Sequence, residues 1–196
     1  LKWRQIGENI DLFLETLRYV EHDQPDRGGV FVLLDNEKAF DRVNHSMMID
    51  AMHALGVPES FTSAVKMMYN GAKTKVKVNG EITAAFRVTS GVRQGCPLSP
   101  LLFLFVQEVF LHMIRTDSDL KGVRIPGPQG SDALGEATEL TVRSLADDIV
   151  VYLEEASHVQ RLMEIAESFR RISNHTINGS KSWAILTGGQ AWRPAH

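Results

Sequence analysis

The sequence holds a single cysteine, Cys96, so no disulfide can form within the chain. Its seven histidines show neither an HExxH spacing nor a paired Cys/His arrangement, which excludes the common zinc frameworks. Long apolar runs are missing as well. The most apolar stretch, Leu98 to Met113, is broken by Ser99, Pro100, Gln107, Glu108 and His112, too short and too polar to span a bilayer. There is no surplus of positive charge: the net charge is −3, which argues against a domain whose affinity comes from phosphate neutralisation alone. No repeat of fixed period is visible. The first residue is Leu1, without a basic-then-apolar leader, and the sequence reads as an internal piece of something longer.

What is present is enough apolar side chain, 43% of 196 residues, for one packed core with room for a smaller lobe. Ile6, Ile10, Phe13, Leu14, Leu17 and Val20 recur at helical spacing, predicting an amphipathic helix over 5–20. A polar loop follows to Gly29, and the continuous run Val30 to Leu34 suits a strand buried on both faces. Asn44 or Ser46 can cap a helix running to about Leu55, with a second over Glu59 to Tyr69. Alternation around Asn79-Gly80 predicts a hairpin from Lys75 to Val88. A long helix is expected from Pro97 to about Arg115, then a Gly/Pro-rich loop from Gly122 to Gly135. Glu139 to Arg143 and Ile149 to Leu153 are β-prone and flank a turn at Asp147-Asp148. A helix over Ser157 to Ser173 and a strand over Ser182 to Leu186 complete the pattern, with a poorly ordered tail from Gly188. Helices and strands interleave without a βαβ rhythm, which fits an α+β fold.

The charges are unevenly spread. Lys66, Lys73, Lys75, Lys77 and Arg87 fall in the middle third and Arg161, Arg170, Arg171 and Lys181 near the end, a pattern that permits a local basic track. Asp35 ends one buried strand and Asp147-Asp148 sit between two others. A fold that lays these strands side by side converges three carboxylates, which repel one another unless a cation neutralises them. Magnesium suits such a site because it takes hard oxygen ligands and shares substrate phosphates. Taken singly, an Asp pair is more often a solvated turn and a lone Asp a cap.

The three acidic positions lie in longer strings: Val32-Leu-Leu-Asp35-Asn-Glu-Lys-Ala-Phe-Asp41, Ser90-Gly-Val-Arg-Gln-Gly-Cys-Pro-Leu-Ser-Pro100 and Leu145-Ala-Asp-Asp148. In order, these resemble motifs A, B and C of the reverse transcriptases, and the middle one is most similar to the non-LTR (LINE-type) branch. The resemblance runs from about Arg4 to Lys181. It implies a right-hand polymerase palm, an antiparallel sheet backed by helices, with partial fingers formed by the first helix and the hairpin, over residues 1–187. No thumb follows, and 188–196 is left as a tail. It implies two magnesium ions, or manganese in their place, held by Asp35, Asp147, Asp148 and the backbone carbonyl of Asn36. Phe40 falls where the family has a steric gate against the ribose 2′-hydroxyl. Gln94 and Gly95 match the pair beside the incoming nucleotide, with Arg93 able to touch a phosphate. Lys181 resembles the motif D lysine, a general acid for the leaving pyrophosphate. Arg4 resembles a fingers arginine that grips the triphosphate. For several of these residues a bland reading stands beside the functional one: Phe40 as a core ring, Lys181 and Arg4 as solvated side chains, the hairpin lysines as solubilising charge.

The implied reaction is RNA-directed DNA synthesis, with an RNA template, a DNA primer and deoxynucleoside triphosphates as partners. The implied setting is a longer polyprotein with thumb and endonuclease regions, acting in the nucleus. The chain departs from the LINE pattern at Asn36 and Leu145, where aromatics are usual, and over Asn174 to Ser180. Two other readings stay open: a non-catalytic or decayed relative that acts only as a nucleic-acid or protein binding module, and a different palm polymerase that copies RNA into RNA. Phe40 and Gln94-Gly95 disfavour the last.

Overall fold

The computed structural model describes residues 6–23, 28–125, 138–145 and 147–188. In chain order its elements are α1 (Ile6–His22), β1 (Gly29–Leu34), α2 (His45–Ala54) and α3 (Glu59–Tyr69), then four two-residue strands, β2 (Lys73–Thr74), β3 (Lys77–Val78), β4 (Glu81–Ile82) and β5 (Phe86–Arg87). There follow α4 (Ser99–Thr116), β6 (Val123–Ile125), β7 (Thr138–Leu140), β8 (Val142–Leu145), β9 (Asp148–Leu153), α5 (His158–Ser173) and β10 (Trp183–Thr187). All strand pairings among the described residues are antiparallel, as an α+β fold requires. No described helix is long and apolar enough to cross a membrane.

The chain divides into two compact units. The first comprises residues 1–37, 111–168 and 176–196. Its centre is a four-stranded sheet in the order β10-β1-β9-β8. Because β1 and β9 are interior, their side chains are shielded on both faces: Val30, Phe31, Val32 and Leu34 are buried, as are Ile149, Val151, Tyr152 and Leu153. That is why the sequence there is a continuous apolar run and not an alternation. The stripe on α1 lies against one face. Phe13 meets Phe31 edge-on at 5.7 Å, and Phe31 meets Tyr152 at 5.5 Å. Around them Val20, Val123 and Leu140 close the core. Each such side chain contributes about 1.5–3 kcal/mol through burial. The first helix, expected with the fingers, is therefore part of the sheet unit, because Phe13, Leu17 and Val20 have an apolar face to cover.

Two further expectations are corrected here. The segment read as a Gly/Pro-rich loop opens with β6, which pairs with β7 through Val123 opposite Leu140. Three residues are too short for a periodicity signal, and their partner is distant in sequence. Asp148 is the first residue of β9 and only Asp147 occupies the turn. The tail beyond Gly188 lies outside the described residues.

The second unit comprises residues 38–110 and 169–175. Asn44 caps α2, its side-chain oxygen accepting the Met47 N–H at 3.1 Å, and α2 packs on α3. Met48, Met52, Val65, Leu102, Phe103, Val106, Phe110 and Phe169 are buried. His175 is buried too, stacked on Phe103 at 5.8 Å and edge-on to Phe169 at 5.7 Å. Between α3 and α4 the hairpin stands exposed at every residue of its four short strands. At its tip both Asn79 and Gly80 have positive φ, 50° and 89°, the conformation that an Asn-Gly hairpin turn uses.

Candidate active site

The sheet brings the acidic residues of the first unit to one edge. In the β1/β9 ladder Leu34 lies opposite Ile149, so Asp35 follows the end of β1 next to the start of β9 at Asp148, near enough for its charge to act on the Asp148 carboxyl. In the β8/β9 ladder Leu145 lies opposite Asp148, and Asp147 is in a turn. Asp147 and Asp148 are exposed and Asp35 half-buried. Partial burial first, then the charges of Asp147 and Asp35, push the Asp148 carboxyl above the usual carboxylate range. The electrostatic sense is that of a cluster that repels itself.

Side chains from two other segments tie this edge together. The Asn36 amide donates to the Asp147 carbonyl at 3.3 Å, and Asn36 bridges Ile177. The Asp35 N–H donates to Ser182 Oγ at 3.1 Å, and that hydroxyl donates to the Asn178 carbonyl at 2.8 Å. The Asn178 N–H returns to the Asp35 carbonyl at 2.8 Å. This closed loop of hydrogen bonds fixes the turn that carries Lys181 beside Asp35. A cavity of about 450 Å³ opens between α1 and the sheet, and its lining includes Asp35, Asp148, Lys181, Arg143, Trp183 and Phe13.

Two of these residues escaped sequence reasoning. Arg143 lies opposite Val150 and Trp183 opposite Leu33, one alternation step from Asp35, and Trp183 is 70% exposed. Their only signal is register, which a sequence does not display until the strands are paired.

The other residues singled out from the motif strings belong to the second unit and are described by themselves. Phe40 is half-buried and stacks on Phe103 at 5.0 Å. Its carbonyl accepts the Val92 N–H at 2.8 Å, and the Val43 carbonyl accepts the Gly91 N–H at 2.8 Å. Gln94 donates to Asp41 Oδ1 at 3.2 Å. Gly91 has φ +86°, and a Cβ there would lie 2.8 Å from the Asp41 carbonyl oxygen, so the close approach of these two segments needs glycine. Arg93 is exposed, and its carbonyl accepts Ser99 Oγ at 2.6 Å. Gly95 has φ +81° with open space where a side chain would be. Arg4 lies outside the described residues.

Among the described residues no three His, Cys, Asp or Glu side chains close up as a ready-made metal cage. Magnesium asks for less: one or two carboxylates, with waters and substrate phosphates completing the octahedron. The donors at the sheet edge are all oxygen, and the repulsion around Asp148 is what a divalent cation relieves. The residues present therefore fit such an ion.

The family model for reverse transcriptase (RNA-dependent DNA polymerase) matches residues 6–191, and the chain belongs to that family, in its non-LTR retrotransposon branch. It is 32% identical over 188 residues to the transposon TX1 uncharacterized 149 kDa protein of Xenopus laevis, covering 94% of this chain and 13% of that protein. It is 29% identical over 157 residues to the retrovirus-related Pol polyprotein from type-2 retrotransposable element R2DM of Drosophila melanogaster, covering 80% of this chain and 14% of the relative. The chain thus spans about an eighth of the length of these relatives. Among solved structures, a telomerase from Candida tropicalis in complex with a fragment of telomeric RNA superposes with a TM-score of 0.67 at 11% identity, over 94% of this chain and 30% of that one. That likeness is one of fold.

Proposed function

We propose that residues 1–187 form the palm and partial fingers of an RNA-directed DNA polymerase, which adds deoxynucleotides to a primer 3′-hydroxyl on an RNA template as part of a longer polyprotein. The observation that carries this reading is the register that sets Asp35 beside Asp148 and the Asp147 turn. Two magnesium ions, for which manganese can substitute, would be held by Asp35, Asp147, Asp148 and the Asn36 carbonyl. When bound, they supply activation of the attacking hydroxyl and neutralisation of charge on the transferred phosphoryl group.

The rest is work for the chain's own side chains. Asn36 holds the Asp147 carbonyl and so keeps the acidic turn close to the end of β1. Ser182 and Asn178 hold the Lys181 turn against Asp35, where its ammonium can give a proton to, or neutralise, the leaving pyrophosphate. Arg143 adds a second cation to the same cavity. Phe40, its ring braced on Phe103, serves as the gate against a 2′-hydroxyl. A braced ring rejects by shape, because it cannot swing away cheaply from a well-packed neighbour. Gln94 is pre-oriented by Asp41, Gly95 admits the nucleotide close to the backbone, and Arg93 and Arg4 offer forked contacts to phosphate.

The test is primer extension on an RNA template with magnesium and deoxynucleotides, using the chain within its natural polyprotein. The comparison is the double variant Asp147→Asn, Asp148→Asn. Extension that disappears in the variant supports the reading. A folded protein that binds template but extends no primer, with either metal, would leave only a binding role.

A further inference from the structure

A row of rings in the second unit leads from its core to Phe40. Phe110 stacks on Phe169 at 4.9 Å and 23°, and Phe169 meets His175 edge-on at 5.7 Å. His175 then stacks on Phe103 at 5.8 Å and 20°, and Phe103 on Phe40 at 5.0 Å and 21°. Phe103 and Phe110 lie two helical turns apart on one stripe of α4. Four of these five rings are no more than 4% exposed, and Phe40 is half-buried. Phe40, His175 and Phe103 thus form a near-parallel stack that is anchored in the core at one end and accessible at the other.

His175 is the one polar ring in the row. Among the described residues its Nε2 has no hydrogen-bond partner, so packing sets the position of that edge, and the orphaned atom costs stability. A leucine or phenylalanine in the same space would carry no such cost. The chain delivers the ring there through a defined turn. After the end of α5 at Ser173, Asn174 has φ +67°, a left-handed conformation that closes many helices and that asparagine tolerates. Its N–H donates to the Arg170 carbonyl at 2.9 Å. The buried Ser173 hydroxyl donates to the Phe169 carbonyl at 2.7 Å and accepts the His175 N–H at 3.1 Å. These bonds hold the backbone of His175 against the last turn of α5 and leave its ring against Phe169 and Phe103. Burial first, then the positive charge of Arg42, keeps the imidazole well below its usual pKa and so uncharged at neutral pH. A neutral ring stacks on Phe103 without desolvating a cation.

We propose that His175 is a positioning residue for sugar selection. Its ring fixes the plane of Phe103, and Phe103 fixes Phe40 where a ribose 2′-hydroxyl would strike it. The inference rests on the polymerase reading above and on Phe40 as its gate, and it assigns the stiffness of that gate to a histidine far along the chain. Near-parallel rings restrict one another's tilt in a way that a flexible aliphatic side chain does not. With leucine at position 175, Phe103 and then Phe40 gain freedom to lean aside. A leaning gate admits a ribonucleotide and still accepts a deoxynucleotide, so the change falls chiefly on selectivity.

The experiment measures kcat/KM for a deoxynucleotide and for the matching ribonucleotide on an RNA template, with the chain within its natural polyprotein. In His175→Leu the ratio of the two should fall about tenfold, the scale of one lost stacking contact, because ribonucleotide incorporation gains. His175→Phe keeps a ring in place and should restore most of the ratio. Phe103→Leu should lower the ratio to a similar extent, and the double variant His175→Leu, Phe103→Leu should lower it no further, since both act through one ring. A merely structural role would depress both substrates alike and leave the ratio where it was, and that result would overturn the inference. Independent, multiplying effects in the double variant would overturn it as well, by removing Phe103 as the link. An unaltered protein that incorporates neither nucleotide would refute the polymerase reading itself, and this inference with it.

Discussion

Two turns between antiparallel strands in this molecule have opposite character: Asp147 lies between β8 and β9, and Asn79-Gly80 between β3 and β4. The first is acidic and rooted in β9, an interior strand whose Ile149, Val151 and Tyr152 are almost wholly buried. The second is the end of a basic hairpin with no buried residue in its strands. Pairing on both edges holds the acidic tip in place, because any slip of β9 would break its ladders to β1 and β8 together. The basic hairpin has no such restraint and depends on its turn residues and on Thr83. One tip is positioned by the core and suits chemistry that demands exact placement of charge. The other is positioned by local bonds, among them the pair between Val76 and Thr83.

Variants can break this comparison, beginning with the largest expected effect. Replacing both Asp147 and Asp148 by Asn should lower primer extension by about a thousandfold or more, since metal-borne charge stabilisation is worth several kcal/mol, while leaving the denaturant midpoint nearly unchanged. Beneath the acidic tip, Phe31→Ala should cost about 3–5 kcal/mol of stability, read by urea unfolding. The matching substitution in the basic hairpin, Phe86→Ala, should cost about 0.5 kcal/mol or less, because Phe86 is half exposed. If the two Phe variants proved equally damaging, the contrast between a core-held and a locally held tip would be wrong.

How much of this was legible beforehand differs between the tips in a related way. The Asn79-Gly80 turn, the Asn44 cap and the bounds of α3 follow from residues next to one another in sequence, and sequence reading finds them. The burial of β1 was legible as well, since an interior strand must be apolar throughout. Strand pairing was not. The strand β6 inside a glycine-rich segment and the arrival of Trp183 in the cavity depend on partners farther along the chain, and Arg143 reaches the cavity only through the β8/β9 register. For the candidate site, Asp35, Asp147, Asp148 and Lys181 were named from motif strings, and the structure brings them to one edge. The bonds that hold them, from Asn36 and from Ser182 to Asn178, involve common polar residues with no distinguishing pattern.

Smaller effects sharpen the picture within the second unit. Burial, then the positive charge of Arg42, pushes His175 down to about 4 from 6.5. Between those values the unfolded chain binds the extra proton, so stability is complete above about pH 6.5 and declines as the pH falls toward 4. The loss should approach about 3 kcal/mol at the lower end, and His175→Leu should flatten that part of the profile in urea unfolding measured across pH. Gly91→Ala should cost about 1–3 kcal/mol from its positive φ and the encroached Asp41 carbonyl, seen as a lower melting temperature.

That glycine has a consequence in genetics. Every single-nucleotide change in a glycine codon that alters the residue adds a β-carbon, and at position 91 any β-carbon meets backbone, not a side chain that could move aside. A coding sequence under selection for a folded product therefore has little room to drift at position 91.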